Sequence, residues 1–83
     1  MDSRVAVIAV IIENPESAGC FNEILHEYSR HIIGRMGIPY RNRKINIVSI
    51  AVDAPRDVIN SLAGKIGRLD GVSAKTVYSD ITE

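Results

Sequence analysis

The chain is predicted to adopt an α+β fold with the element order β-α-β-β-α-β, and three features of its 83 residues support this prediction. Residues 5–12 and 45–52 are apolar, β-branched runs with the length and composition of buried strands. Each run is followed by a segment of helical periodicity that begins near a proline. Each helix then leads into another strand-like segment. Two right-handed strand–helix–strand units of this kind predict a four-stranded antiparallel sheet with two helices on one face.

The first strand is predicted at Val5 to Ile12, and the first helix is predicted to begin in the segment that follows it. Asn14 is a suitable N-cap, and Pro15 suits the first helical position, where its missing N–H is not needed. Ser17 offers a competing start three residues later. Apolar residues then recur at helical spacing, and the helix is predicted to end at about Arg30. They are Ala18, Phe21, Ile24, Leu25 and Tyr28.

The middle of the chain supplies two strands and the second helix. Residues 32–40 form a weaker strand, whose glycines and proline favour an edge position or a bulge. A basic turn at residues 41–44 precedes the strong strand at residues 45–52. Asp53-Ala54-Pro55 then starts the second helix, and Asp70-Gly71 ends it. Its predicted inner face comprises Val58, Ile59, Leu62, Ala63, Ile66 and Leu69.

Residues 72–78 form the last predicted strand, and residues 80–83 are expected to be a frayed tail. The whole pattern predicts a ferredoxin-like sandwich that forms a single domain over residues 1–83. In this topology the first and third strands lie in the centre of the sheet. These are also the two most apolar strands of the sequence.

Two helices cover only one face of such a sheet, yet the other face is also predicted to be apolar. On the first strand both alternating sets of side chains are apolar. The third strand shows the same property, with the sets Ile45, Ile47, Ala51 and Val48, Ile50, Val52. Four strands of five residues present roughly 300–350 Å² in projection, whose burial contributes about 8 kcal/mol per subunit. Association costs on the order of 4–15 kcal/mol. We therefore predict self-association through this face into a dimer or a tetramer.

The composition is that of an ordinary globular protein of the cytoplasm. Ten basic and ten acidic residues cancel, so no overall field draws the chain to nucleic acid or anionic lipid. The single cysteine, Cys20, cannot form an internal disulfide or supply the thiolates of an iron–sulfur cluster. The apolar run at residues 5–12 is much shorter than the roughly 20 residues of a membrane span. We expect a reduced thiol, no cofactor, no signal peptide and no membrane association.

Metal binding and catalysis are not expected from the few ligating or nucleophilic side chains. His26 and His31 are separated by about 500° of helical rotation, so they cannot share a metal from one helix. His31 remains the weak candidate, with a ligand from another subunit. Cys20 lies near a helix N-terminus, a position that activates thiols, but both histidines lie toward the far end of that helix. We expect a buried apolar role for Cys20 and no enzymatic activity.

Phosphate and nucleic-acid binding are also disfavoured. Gly19 stands alone at the first helical turn, and neither G-x-x-x-x-G-K-[ST] nor G-x-G-x-x-G occurs. Arg35 and the basic turn at residues 41–44 lie close together in the predicted sheet. However, RNA-binding sheets of this topology carry stacking aromatic residues on their two central strands, and those strands have none here. We therefore expect no direct binding of DNA or RNA.

The junction between the first strand and the first helix is the candidate site for a small effector. A helix N-terminus offers free N–H groups and a partial positive charge to an anion. Gly19 lets a ligand approach the backbone closely. Asn14, Ser17, Gly19 and Cys20 are the candidate contacts for a small carboxylate or an amino acid. A capped turn with a glycine for tight packing is the other interpretation, and the sequence leaves both open.

This junction resembles the entry of ACT domains. Glu13-Asn14-Pro15 followed by Gly19 to Leu25 resembles their acidic-x-Pro-Gly-x-Leu motif, with extra residues before the glycine. Asp70-Gly71-Val72 resembles the Gly-Val that opens their last strand. ACT domains are ferredoxin-like modules that bind amino acids and related effectors between paired subunits. The resemblance implies that Gly19 contacts such an effector.

A second resemblance covers nearly the whole chain. Residues 31–40, 45–52 and 62–68 are similar to a small bacterial family of iron-only hydrogenase system regulators, which is grouped with the C-terminal domain of nickel-responsive repressors. This resemblance implies a transcriptional regulator. The repressors place histidines and a cysteine on and after the strand that follows the first helix. Residues 32–40 contain neither, so nickel binding is not carried over, and we expect any contact with DNA to require another polypeptide.

Together these features predict a non-enzymatic, oligomeric, ACT-like regulatory domain. It would bind a small effector at a subunit junction and pass the signal to a partner protein. The alternative is a ligand-free interaction or assembly factor linked to hydrogenase maturation.

Overall fold

The computed structural model describes residues 3–80, and it confirms the predicted ferredoxin-like α+β architecture. The four strands form one antiparallel sheet in the order β2-β3-β1-β4, so β1 and β3 lie in the centre as predicted. Two short 3-10 helices, Pro15–Ser17 and Ser29–His31, flank α1. The elements are β1 (Arg4–Ile12), α1 (Ala18–Glu27), β2 (Ile32–Tyr40), β3 (Ile45–Ala54), α2 (Arg56–Gly67) and β4 (Val72–Tyr78).

The hydrophobic core lies between the two helices and one face of the sheet. Alternate residues of β1 and β3 are buried, because successive side chains of a strand point to opposite faces. The predicted inner faces of both helices are confirmed except at Ala18, since their central residues are buried and the other predicted residues pack at the margin of the core. The core residues on the four main elements are Ala6, Ile8, Val10, Ile12, Val48, Ile50, Val52, Ala54, Phe21, Leu25, Ile59, Leu62 and Ile66.

β2 is an edge strand, as its glycines and proline predict. It pairs with β3, and the register shifts between Ile32 and Gly34, which marks a β-bulge. Pro39 is tolerated because it lies on an edge strand. Eight of the nine β2 residues are exposed, so the helices leave most of this strand uncovered.

The first helix is shorter than predicted at both ends. Asn14 caps the 3-10 helix by accepting a hydrogen bond from the Glu16 N–H at 3.0 Å, and the α-helix begins only at Ala18. Ser17, the competing N-cap, makes no capping hydrogen bond. The α-helix ends at Glu27, and a separate 3-10 turn carries Arg30.

The second helix also differs from the prediction at its ends. Asp53 and Ala54 continue β3 instead of starting the helix, because they pair with the first residues of β1. Pro55 is the N-cap of α2. The helix ends at Gly67, three residues before the predicted Asp70-Gly71 terminus. Of the predicted tail, residues 81–83 lie outside the described residues.

Candidate functional site

The junction between β1 and α1 is tied to the loop that joins α2 to β4. The Ser17 hydroxyl donates a hydrogen bond to the Asp70 carbonyl oxygen at 2.6 Å. The Asn14 amide donates to the Asp70 carboxylate at 2.8 Å, and the Glu13 N–H donates to the Gly71 carbonyl oxygen at 2.7 Å. Ser17 is buried. Two of the four candidate effector contacts, Asn14 and Ser17, therefore join two loops of the fold.

These two loops approach each other so closely that position 71 requires a glycine. Its φ of 69° lies in the left-handed region, which glycine adopts without steric cost. A Cβ built at this position would lie 2.6 Å from the Cβ of Asn14 and 3.0 Å from its backbone nitrogen. The backbone of the α2–β4 loop consequently reaches the junction only because residue 71 has no side chain.

Gly19 and Cys20, the other two candidate contacts, lie on the outer side of the first turn of α1. Both are exposed, and a Cβ added at Gly19 meets no atom within 4 Å. Tight packing therefore does not explain this glycine. The expected burial of Cys20 is wrong. Phe21 and Leu25 occupy the core-facing side of the helix, and Cys20 is rotated by about 100° from Phe21 toward solvent.

The two histidines, His26 and His31, lie near the end of α1 and just beyond it. His26 lies in the last turn of α1, and His31 ends the second 3-10 helix. Among residues 3–80, no group of three or more His, Cys, Asp and Glu side chains could hold a metal ion. A metal bound by His31 together with another subunit stays a prediction.

The sheet face opposite the helices, which we call the open face, carries large apolar side chains on all four strands. Because the odd-numbered residues of β1 point away from the core, their partners on β3 and β4 do so too. Polar side chains interrupt this surface at Ser49, Asp53, Ser73 and Lys75. Eight large apolar residues of the open face are 39–67% exposed, namely Val5, Val7, Ile11, Met36, Ile38, Tyr40, Ile47 and Val77.

The strand register arranges the open face into a ridge beside a depression. Ile11 pairs with Ile47, and Ile47 pairs with Ile38, so three isoleucines form a ridge across β1, β3 and β2. Gly34 pairs with Ala51 four residues further along the strands. The small side chains at this place leave a depression of about 250 Å³. It is lined by Gly34, Arg35, Met36, Ser49 and Ala51.

The turn between β2 and β3 is basic and exposed. Arg41, Arg43 and Lys44 all lie in it, and Lys44 adopts a left-handed φ of 57°. Of the aromatic residues, Phe21 is a buried residue of α1, Tyr28 directly follows α1, and Tyr40 and Tyr78 lie on the outer strands β2 and β4. The central strands therefore offer no aromatic platform for stacked bases. The expected lack of direct DNA or RNA binding stays a prediction.

These features define the class of protein as a small ferredoxin-like α+β domain with one apolar sheet face left open. The chain belongs to the TM1266-like family, described provisionally as iron-only hydrogenase system regulators, because residues 4–76 match the sequence profile of that family. The solved structure of the uncharacterized protein TM1266 from Thermotoga maritima has 30% sequence identity and a TM-score of 0.88. That match covers 92% of this chain and 96% of the relative.

A more distant match shows the fold alone. A formyltetrahydrofolate deformylase from Pseudomonas putida KT2440 has a TM-score of 0.66 and 10% sequence identity. The match covers 93% of this chain and 29% of the deformylase. A comparison with curated proteins finds no match. Neither α-helix within residues 3–80 has the length and apolar character needed to cross a membrane.

Proposed function

We propose that this chain is a non-enzymatic, self-associating regulatory domain that binds a small effector and signals to a partner protein. Membership of a family named for the regulation of the iron-only hydrogenase system supports the regulatory role. The observation that carries the proposal is the open face, because it combines an exposed apolar surface with a shape that a second copy can match.

The open face is more stable when a second copy covers it than when it is exposed to water. Monomers rarely leave contiguous apolar patches of several hundred Å² in water. In a two-fold symmetric pair, the same patch of each subunit meets its counterpart. The isoleucine ridge of one copy, formed by Ile11, Ile38 and Ile47, then enters the depression beside Gly34 and Ala51 on the other. Both copies bury their ridges at once.

The proposed effector acts at the β1–α1 junction through Asn14, Ser17, Gly19 and Cys20. This junction lies at the end of β1, and its hydrogen bonds to Asp70 connect it to the loop that opens β4. β1 and β4 are neighbouring strands of the open face. A ligand that alters these bonds changes the relative placement of the two strands and so favours one subunit arrangement.

The self-association is tested by measuring mass in solution by sedimentation equilibrium over a wide range of protein concentrations. The wild-type chain is expected to form a multiple of the 9.1 kDa subunit. Ile47→Asp places a charge on the ridge, and Gly34→Val fills the depression, so both variants are expected to dissociate. Asn42→Asp adds the same charge in the exposed β2–β3 turn and is expected to associate normally. A wild-type protein that remains a single subunit at high micromolar concentration contradicts the proposal.

The effector site is tested by thermal-shift screening against amino acids and small carboxylates. A bound effector raises the melting temperature progressively with its concentration, because it binds only the folded chain. Gly19→Val is expected to remove this response while preserving the fold, since Gly19 is exposed and a Cβ there meets no atom within 4 Å. Unchanged affinity in Gly19→Val shows that the effector binds elsewhere.

The second candidate function is a ligand-free interaction or assembly factor linked to hydrogenase maturation. The open face also supports this function, because an apolar surface buries equally well against another protein. Self-association without any concentration-dependent thermal shift in the screen favours this candidate over the effector-binding domain.

A further inference from the structure

We infer that a cavity between α1 and β2 binds a small carboxylate with an apolar body. The cavity has a volume of about 230 Å³ and opens on the helix side of β2, away from the open face. Its lining includes Gly37 and Val48, which pair with each other on the core-facing side of the sheet. None of the four candidate effector contacts at the β1–α1 junction is among its lining residues.

The floor of this cavity is apolar and built from the core. Ile12, Phe21 and Val48 line it, and each is no more than 5% exposed. They come from β1, α1 and β3, so three elements hold the floor in place. A floor of this kind stabilises an aliphatic or aromatic ligand through the removal of apolar surface from water.

Arg35 supplies a positive charge beside that floor. Its guanidinium carbon lies 5.6 Å from the centre of the Phe21 ring, so the cation rests against the aromatic part of the floor. Among residues 3–80, an ion pair forms between Lys65 and Glu27. No carboxylate of these residues forms an ion pair with Arg35. No acidic residue is among the lining residues either. The guanidinium is therefore available for a bidentate contact with a ligand carboxylate.

Two side-chain amides complete the polar rim. Asn22 on α1 and Asn46 on β3 line the same cavity as Arg35. Within residues 3–80, neither amide side chain takes part in a hydrogen bond. Each amide offers N–H donors, which a carboxylate accepts. One cation and two amide donors around an apolar floor match an organic anion better than a neutral molecule.

The cavity is open to solvent on one side, so its volume indicates the size of the part of the ligand that it covers. A dry cavity of about 150 Å³ holds benzene, which has six carbon atoms. By proportion, a cavity of about 230 Å³ holds about nine non-hydrogen atoms. Benzoate has this size, and it combines an apolar ring with a carboxylate. It is a suitable probe for the chemical class that the cavity selects.

This inference goes beyond the proposed function, because the cavity is a second ligand site that lies within one subunit and shares no candidate contact with the β1–α1 junction. The β1–α1 junction and the α1–β2 cavity are separate sites that both adjoin α1. Binding in the cavity therefore does not depend on self-association, and the two proposals fail separately.

The charge of Arg35 is tested by isothermal titration of the full chain with benzoate and with benzamide, its uncharged counterpart. Benzoate is expected to bind the wild-type chain at least about tenfold more tightly than benzamide, since a hydrogen bond between two charged groups is stronger than one with a neutral amide. Arg35→Gln is expected to weaken benzoate binding by a similar factor. Arg43→Gln removes the same charge from the β2–β3 turn and is expected to have no effect. Equal affinity for benzoate and benzamide overturns the role of Arg35.

The location is tested by two glycine substitutions on opposite faces of β2. Gly37→Val fills the cavity, and a Cβ at this position makes only an ordinary contact with Val48 at 4.0 Å. This variant is expected to lose benzoate binding and to keep its oligomeric mass. Gly34→Val fills the depression on the open face and is expected to keep benzoate binding. The assignment of this cavity is overturned if Gly37→Val still binds benzoate fully or if Gly34→Val loses benzoate binding. It is also overturned if Gly19→Val is the one variant of the three that loses benzoate binding.

Discussion

Substitution of Gly71 by alanine is expected to destabilise the fold, and to do so through the β1–α1 junction. Alanine at a φ of 69° is strained, because its Cβ crowds the following carbonyl oxygen. The added Cβ also lies 2.6 Å from the Cβ of Asn14, so the two loops must move apart. That movement stretches the hydrogen bonds from Glu13, Asn14 and Ser17 to residues 70 and 71.

The size of the effect follows from these contacts. The left-handed conformation costs a residue with a Cβ about 1–2 kcal/mol. Each hydrogen bond contributes about 0.5–1.5 kcal/mol, and the loss of one or two of the three adds about 1–2 kcal/mol. Together these effects lower the free energy of unfolding by about 2–4 kcal/mol. This is a large fraction of the roughly 5–15 kcal/mol that stabilises a typical domain.

The measurement is chemical denaturation of both proteins at the same subunit concentration, because self-association would stabilise the folded state by mass action. Gly67→Ala is the matched control. Gly67 ends α2, a Cβ there meets no atom within 4 Å, and alanine is the better helix former. The control is expected to be unchanged or slightly more stable. A Gly71→Ala variant as stable as Gly67→Ala refutes the claim that residue 71 is glycine because of Asn14.

Three further predictions concern side chains around the helices. Ser17→Ala removes the hydrogen bond to the Asp70 carbonyl oxygen and is expected to lower the unfolding free energy by about 1 kcal/mol in the same denaturation assay. A hydrogen bond with the Ser61 hydroxyl, and then Lys65, lowers the pKa of Tyr28 below its ordinary value of 10.0. Because the folded pKa lies below the unfolded one, ionisation of Tyr28 adds stability as the pH rises toward 10.0. Ser61→Ala should move the Tyr28 phenolate transition to higher pH in an ultraviolet titration, with Tyr28→Phe identifying the transition. Cys20 is exposed, so one thiol per native chain should react promptly with a chromogenic disulfide, and a thiol that reacts only after unfolding contradicts its described position.

Most of the fold follows from local patterns in the sequence. The β-branched runs in β1 and β3 and the 3.6-residue periodicity of both helices locate these elements. The two glycines and the proline of residues 32–40 correctly place β2 at an edge with a bulge. The element ends were less predictable. Asp53 resembles a helix start in sequence, but pairing with β1 across the sheet keeps it in the strand.

The candidate site was less accessible to sequence reasoning. Asn14 and Ser17 both have the chemistry of N-caps, but the Ser17 hydroxyl binds the Asp70 carbonyl oxygen 53 positions away. A buried apolar role is predicted for Cys20 because neither histidine is placed to activate its thiol, yet its position on α1 turns it to solvent. Its neighbour Phe21 does reach the core, and the spacing of Phe21 and Leu25 is the signal that indicates this orientation.

By itself the sequence determined the order of the strands and helices, the two most buried strands, and the apolar character of both sheet faces. Each of these properties depends on residues that lie within a few positions of one another. Only the tertiary structure brought Arg35, Asn22 and Asn46 together around Phe21, and only the strand register aligned three isoleucines into a ridge. Such groupings depend on how distant segments pair and pack, and local spacing carries no information about that.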